Sequence, residues 1–116
     1  MMLHKNLKVW QKSMELVKLI YVNTKSFPKE ELFGLASQMR RAIVSIPSNI
    51  AEGYGRNSDK ECERFLYIAL GSATELETQL IISKELEYIS EDKFQSLDSS
   101  LNEIIKMLSA LIKSLK

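Results

Sequence analysis

His4 is the only imidazole in the 116-residue chain and Cys62 the only thiol. Structural zinc needs about four nitrogen or sulfur ligands, and a carboxylate-bridged di-iron bundle needs two Glu-x-x-His motifs. Neither set exists in this sequence. A Ser–His or Cys–His nucleophile pair would require His4 to fold back from the start of the chain. Cys62 sits between Glu61 and Glu63, whose charges would raise a thiol pKa and suppress the reactive thiolate. Glu75 and Glu77 are two residues apart, so on a helix they point to different sides. Gly53 and Gly55 are not followed by the Lys-Ser/Thr of a phosphate loop. The expectation is a protein that is not an enzyme, with no catalytic residue, metal, cofactor or small-molecule substrate.

The remaining chemistry is that of recognition. Lys5, Lys8 and Lys12 recur on one side of the first helical pattern, and Arg40, Arg41 and Arg56 bracket the second. These six are the candidate nucleic-acid-binding residues, able to neutralise phosphates. Opposite the apolar seam of the second pattern lie Gln38, Arg41, Ser45, Ser48, Asn49, Glu52 and Arg56. A solvated helix face usually carries Glu and Lys, which are better helix formers than Ser and Asn. The polar face of Gln38, Ser45, Ser48, Asn49 and Glu52 is therefore a candidate for close helix approach or a specific polar contact.

Sixteen Lys and Arg against fifteen Asp and Glu leave a net charge of +1, so bulk charge names no partner. The balance is an average over unlike segments. Residues 1–28 carry five Lys and one Glu, whereas residues 58–89 carry three basic and seven acidic groups. Apolar residues at 45% and charged residues at 27% are those of a folded domain. The length suits one domain, residues 1–116. No stretch approaches the roughly 18 apolar residues of a membrane span, and one unpaired Cys suits a reducing compartment, so the expected location is the cytoplasm, with no membrane partner.

Four helices must position these groups. Leu7, Trp10, Met14, Val17, Tyr21 and Thr24 step by three and four residues and predict one helix face. That places Trp10 and Tyr21 in the core rather than on the surface as base-stacking platforms. Leu32, Ala36, Met39, Ile43, Ile46 and Ile50 predict a second helix, with Pro28 in its first turn. Phe65, Ala69, Leu76 and Leu80 mark a third over 59–88. Phe94, Leu97, Leu101, Ile104, Leu108, Leu111 and Leu115 predict a fourth. Ser58 to Glu61 reads as a capping box and Ser90 as a cap. Pro47 falls inside the second seam. A kink is favoured there over a break that restarts with Asn49 and Glu52, because the seam continues in phase. Connections of about 2–5 residues make sequential helices antiparallel. The expected fold is all-α, an elongated up-down-up-down antiparallel four-helix bundle, whose third helix would be about 45 Å long.

The third helix is more apolar than one bundle needs. Phe65 to Leu70 is an unbroken apolar run, and Leu80-Ile81-Ile82 repeats it. Apolar surface on all sides of a helix has to be buried on all sides. The chain is thus expected to form a homo-oligomer, with Leu66, Tyr67, Leu70, Ile81 and Ile82 as candidate interface residues.

The segment from Arg40 to Arg56, RRAIVSIPSNIAEGYGR, resembles the signature of the bacterial four-helix bundle family of 23S rRNA intervening-sequence proteins, also called S23 ribosomal protein-like. The flanking LKVWQKSMELVKLIYVNTKSFPKEELFGLASQMRR and FLYIALGSATELETQL look like text of the same family, so the resemblance covers roughly residues 5–112. It implies an up-and-down four-helix bundle assembled as a barrel-shaped homopentamer. A relative of this family, the accessory variability determinant of diversity-generating retroelements, is also pentameric and works with RNA through a basic surface. The near-neutral charge here departs from that pattern.

Two functions follow as expectations. One is an oligomeric bundle binding RNA or a nucleic-acid-processing protein through the six basic residues. The other is a structural or protein-interaction scaffold without a nucleic-acid role. Clustering of the basic residues on one exposed rim would favour the first. Their pairing with Glu52, Glu75 or Glu77 would favour the second.

Overall fold

The computed structural model describes residues 3–116. Four helices carry the fold: α1 Lys8–Thr24, α2 Leu35–Tyr54, α3 Asp59–Glu85 and α4 Glu91–Ser114. Short 3-10 turns at His4–Asn6 and Lys29–Glu31 precede α1 and α2. Each of α1 and α3 packs on both α2 and α4. The molecule measures 43 × 24 × 19 Å, its long dimension set by the 27-residue α3.

The second and fourth seams are buried largely as their spacing predicts. Ala36, Met39, Ile43, Ile46 and Ile50 are core on α2, and Phe94, Leu97, Leu101, Ile104 and Leu108 are core on α4. At the end of α4, Ile112 takes the buried place that the periodicity assigned to Leu111, which is half-buried. Burial of this order, at about 25 cal/mol per Å² of apolar surface, is the main stabilising term.

The first seam differs. On α1 the buried side chains are Val9, Ser13, Leu16, Ile20 and Thr24, while Met14 and Tyr21 are exposed and Trp10 is half-buried. The core face is thus rotated by about one residue from the predicted stripe. Hydroxyl chemistry permits this burial. Ser13 Oγ donates to Val9 O at 2.7 Å and Thr24 Oγ1 to Ile20 O at 2.7 Å, so both polar groups are satisfied inside their own helix and can be buried.

Two boundaries also move. Pro28 opens the 3-10 turn instead of α2, and residues 25–34 form a connection longer than predicted. Leu32 therefore lies ahead of α2 and is exposed. Helix α3 ends at Glu85 rather than at residue 88, because Glu87 adopts φ 61°. Tyr88 N donates to Ser83 O at 2.8 Å and Glu87 N to Lys84 O at 2.9 Å, the paired bonds of a Schellman stop.

At the helix starts, Ser58 Oγ accepts from Glu61 N at 3.2 Å and Ser90 Oγ accepts from Lys93 N at 3.2 Å. The Glu61 carboxylate turns to Arg64, at 3.6 Å, so the Ser58 cap is one-sided. Helix α2 runs unbroken through Pro47. Asn49 does not restart it, since its Nδ2 points back and donates to Ser45 O at 2.8 Å.

Helices α2 and α3 approach closely through small residues. A Cβ on Gly53 would stand 3.1 Å from Cys62 O and 3.2 Å from Phe65 Cβ. Ser72 Oγ donates to Ser45 Oγ at 2.9 Å, and Ser83 Oγ lies 3.4 Å from Met39 Sδ. These pairs step in opposite directions along the two helices, so α2 and α3 are antiparallel. Among the described residues, no helix is long and apolar enough to cross a membrane.

Candidate interaction surfaces

The six basic residues expected to contact nucleic acid come from the start of α1 and from the two ends of α2. Lys5 and Lys8 are exposed at the start of α1. Lys12, one turn further on, forms an ion pair with Glu103 of α4. That hydrogen bond raises the Lys12 pKa and lowers that of Glu103, so each group favours its charged form. Near the start of α2, Arg40 Nε donates to Thr24 Oγ1 at 2.9 Å, and its guanidinium lies 4.8 Å over the Tyr21 ring. Arg41 is exposed and forms no ion pair among the described residues. Beyond the far end of α2, Arg56 pairs with Glu52 at 2.8 Å and covers the Phe65 ring at 4.7 Å. Three of the six basic groups, Lys12, Arg40 and Arg56, are thus held by their own subunit.

The polar face of α2 is also divided. Ser45 and Asn49 are half-buried and face α3, with Asn49 Nδ2 donating to Ser45 Oγ at 2.9 Å and Ser45 bonded in turn to Ser72. Their small size serves helix approach within the subunit. Gln38, Ser48 and Glu52 remain exposed.

Helix α3 requires a correction. Leu66 is 0% exposed, enclosed by its own bundle, and has no surface to give a neighbour. Leu70 is half-buried against the core. Tyr67 and Ile81 are exposed, and so are Ile82 and its stripe neighbour Ile68, all four between 41% and 46%. The sequence pattern shows that α3 has surplus apolar surface but not which side chains the bundle itself consumes.

A site unforeseen in the sequence lies between α1, the connection and α2. Tyr21, Leu32, Phe33, Arg40, Arg41 and Val44 line an open groove of about 650 Å³. Phe33 is 92% exposed, the most solvent-exposed large apolar side chain among the described residues. The available signal was the Leu32-Phe33 pair. Both residues precede α2, and the bundle core takes up neither.

Reactive groups are quiet. Cys62 is buried, and its thiol pKa is pushed up by burial first and by Asp59 second, so the direction is the expected one but Glu61 and Glu63 are not its cause. His4 rests edge-on against Trp10, with ring centroids 5.2 Å apart.

The family model for 23S rRNA-intervening sequence proteins matches residues 5–110. A crystal structure of a protein of unknown function from the S23 ribosomal protein family of Bacteroides thetaiotaomicron superposes with a TM-score of 0.82. It is 30% identical, and the match covers 90% of this chain and 98% of that one. None of the curated proteins matches significantly. Neither similarity points to an enzymatic family. With nearly the whole bundle matched, the chain belongs to the family of 23S rRNA-intervening sequence proteins.

Proposed function

We propose that this chain is a non-enzymatic scaffold: an up-down-up-down antiparallel bundle that assembles with copies of itself in a reducing compartment such as the cytoplasm. Five copies is the number implied by the family resemblance. The observation that carries the reading is Phe33, left 92% exposed beside Tyr21, Leu32 and Val44. Leaving such apolar area in water costs about 25 cal/mol per Å², and contact with another subunit recovers it. The pairing of Arg56 with Glu52 and of Lys12 with Glu103 supports an architectural use of charge over a nucleic-acid rim. Light scattering tests the assembly. A particle several times 13.3 kDa at micromolar concentration is expected, and a monomer refutes it.

A second reading rests on Lys5, Lys8 and Arg41, which are exposed and outside any ion pair among the described residues. Repeated by symmetry, they would contact RNA or a nucleoprotein. Binding to structured RNA should then fall steeply between about 50 and 200 mM salt. No binding at the lower salt with micromolar protein rejects this reading.

A further inference from the structure

Helix α3 carries a seam that its own bundle does not explain. Ile68, Gly71, Glu75, Thr78 and Ile82 recur at steps of three and four, which aligns them on one face. All five are exposed or only partly covered. Gly71 sits near the middle of the helix, where glycine is unfavourable. Within its own subunit a Cβ at Gly71 would meet nothing within 4 Å, unlike one at Gly53, so the bundle gains nothing from this glycine. The hydroxyl of Thr78 donates to Thr74 O at 3.3 Å and is thereby muted. The Glu75 carboxylate accepts from Gln79 Nε2 at 3.1 Å but meets no cation among the described residues.

The groove beside α2 matches this seam in apolar surface and opposes it in charge. It is concave and apolar through Leu32, Phe33 and Val44. Its exposed charge is the Arg41 guanidinium, where the seam offers a carboxylate. We infer that the α3 seam of one copy seats in the α2 groove of a second copy, with Phe33 packed over Gly71 and Arg41 against Glu75. This deepens the assembly proposed above and rests on it. Because the two surfaces are different, the contact is heterologous, and every copy has one of each to offer the next. Glycine at residue 71 then has a reason, since a side chain there would hold the Phe33 ring away.

The test measures particle size by sedimentation, with circular dichroism as the control for folding. Phe33→Asp and Gly71→Leu, both at exposed positions, should yield smaller particles of unchanged helicity. Arg41→Glu and Glu75→Arg should each weaken assembly by at least about tenfold, and the double exchange should restore it. If the natural protein is a monomer, the assembly reading fails and takes this inference with it. If the protein assembles but all four variants keep its size, assembly stands and this contact is wrong. If the groove variants lose RNA binding while keeping full size, the groove serves nucleic acid and the inference is overturned. Should Gly71→Leu unfold, the charge exchange still decides.

Discussion

The Tyr88 hydroxyl donates a 3.0 Å hydrogen bond to Glu31 Oε2, joining the α3–α4 turn to the connection ahead of α2 across 57 positions of sequence. The other carboxylate oxygen, Oε1, accepts from Leu35 N at 3.0 Å and so closes the start of α2. Gly34 leaves room for it, since a Cβ there would fall 2.8 Å from Glu31 Oε1. One side chain thus caps a helix and ties down the segment that presents Leu32 and Phe33.

Glu31→Ala should cost about 1 kcal/mol in urea unfolding, the usual loss for a helix-start bond. It should also weaken assembly if Phe33 contacts a second copy. An unchanged urea midpoint would show that the cap is redundant.

Above neutral pH the same contact has a defined sign. The hydrogen bond to Glu31 raises the Tyr88 pKa above 10.0, with burial adding to it. The folded state therefore favours the neutral phenol. Its stabilisation is complete below the ordinary tyrosine pKa and is lost as pH rises through the raised one. Tyr88→Phe should flatten this alkaline decline in stability. Part of the decline will persist, because burial and the nearby Cys62 also raise the Tyr54 pKa.

Glu87 occupies the left-handed region at φ 61° without being glycine. A non-glycine residue there costs about 1–2 kcal/mol, so Glu87→Gly should stabilise the protein by about 1 kcal/mol and raise Tm by about 4 °C. A lower Tm would mean that the Glu87 side chain contributes more than its backbone costs.

The two helical glycines should respond oppositely to alanine. At Gly53 the new Cβ meets backbone oxygen at 3.1 Å, so Gly53→Ala should cost about 1–3 kcal/mol by forcing α2 and α3 apart. At Gly71 nothing stands in the way, so Gly71→Ala should gain about 1 kcal/mol in subunit stability. Measurement in a Phe33→Asp background separates subunit unfolding from assembly.

Arginine substitutions on α2 should also diverge. Ser45 is bonded to Ser72 and Asn49, so Ser45→Arg should destabilise the subunit itself. Ser48 is exposed, and Ser48→Arg should change stability by no more than about 0.5 kcal/mol. Loss of assembly in Ser48→Arg alone would identify this face as an interface.

The sequence by itself determined the all-α class, the four helices and two of the four core faces. Ala36 to Ile50 and Phe94 to Leu108 are apolar at every helical return, which leaves only one side of each helix to bury. The scarcity of His and Cys was equally plain and limited the chemistry before any folding. Tertiary structure decided the rest. It chose the buried face of α1, because Ser13 counts as polar in the sequence until its hydroxyl finds the helix's own Val9 carbonyl. It consumed Leu66 and left Ile68 and Ile82 outside, because a helix apolar on several sides has no preferred side until its neighbours are in place. It engaged Lys12, Arg40 and Arg56 within the subunit and created the Phe33 groove, whose lining comes from three segments of chain. Periodicity is local and so is written in the sequence, but a surface is made of residues from different helices, and only packing brings those together.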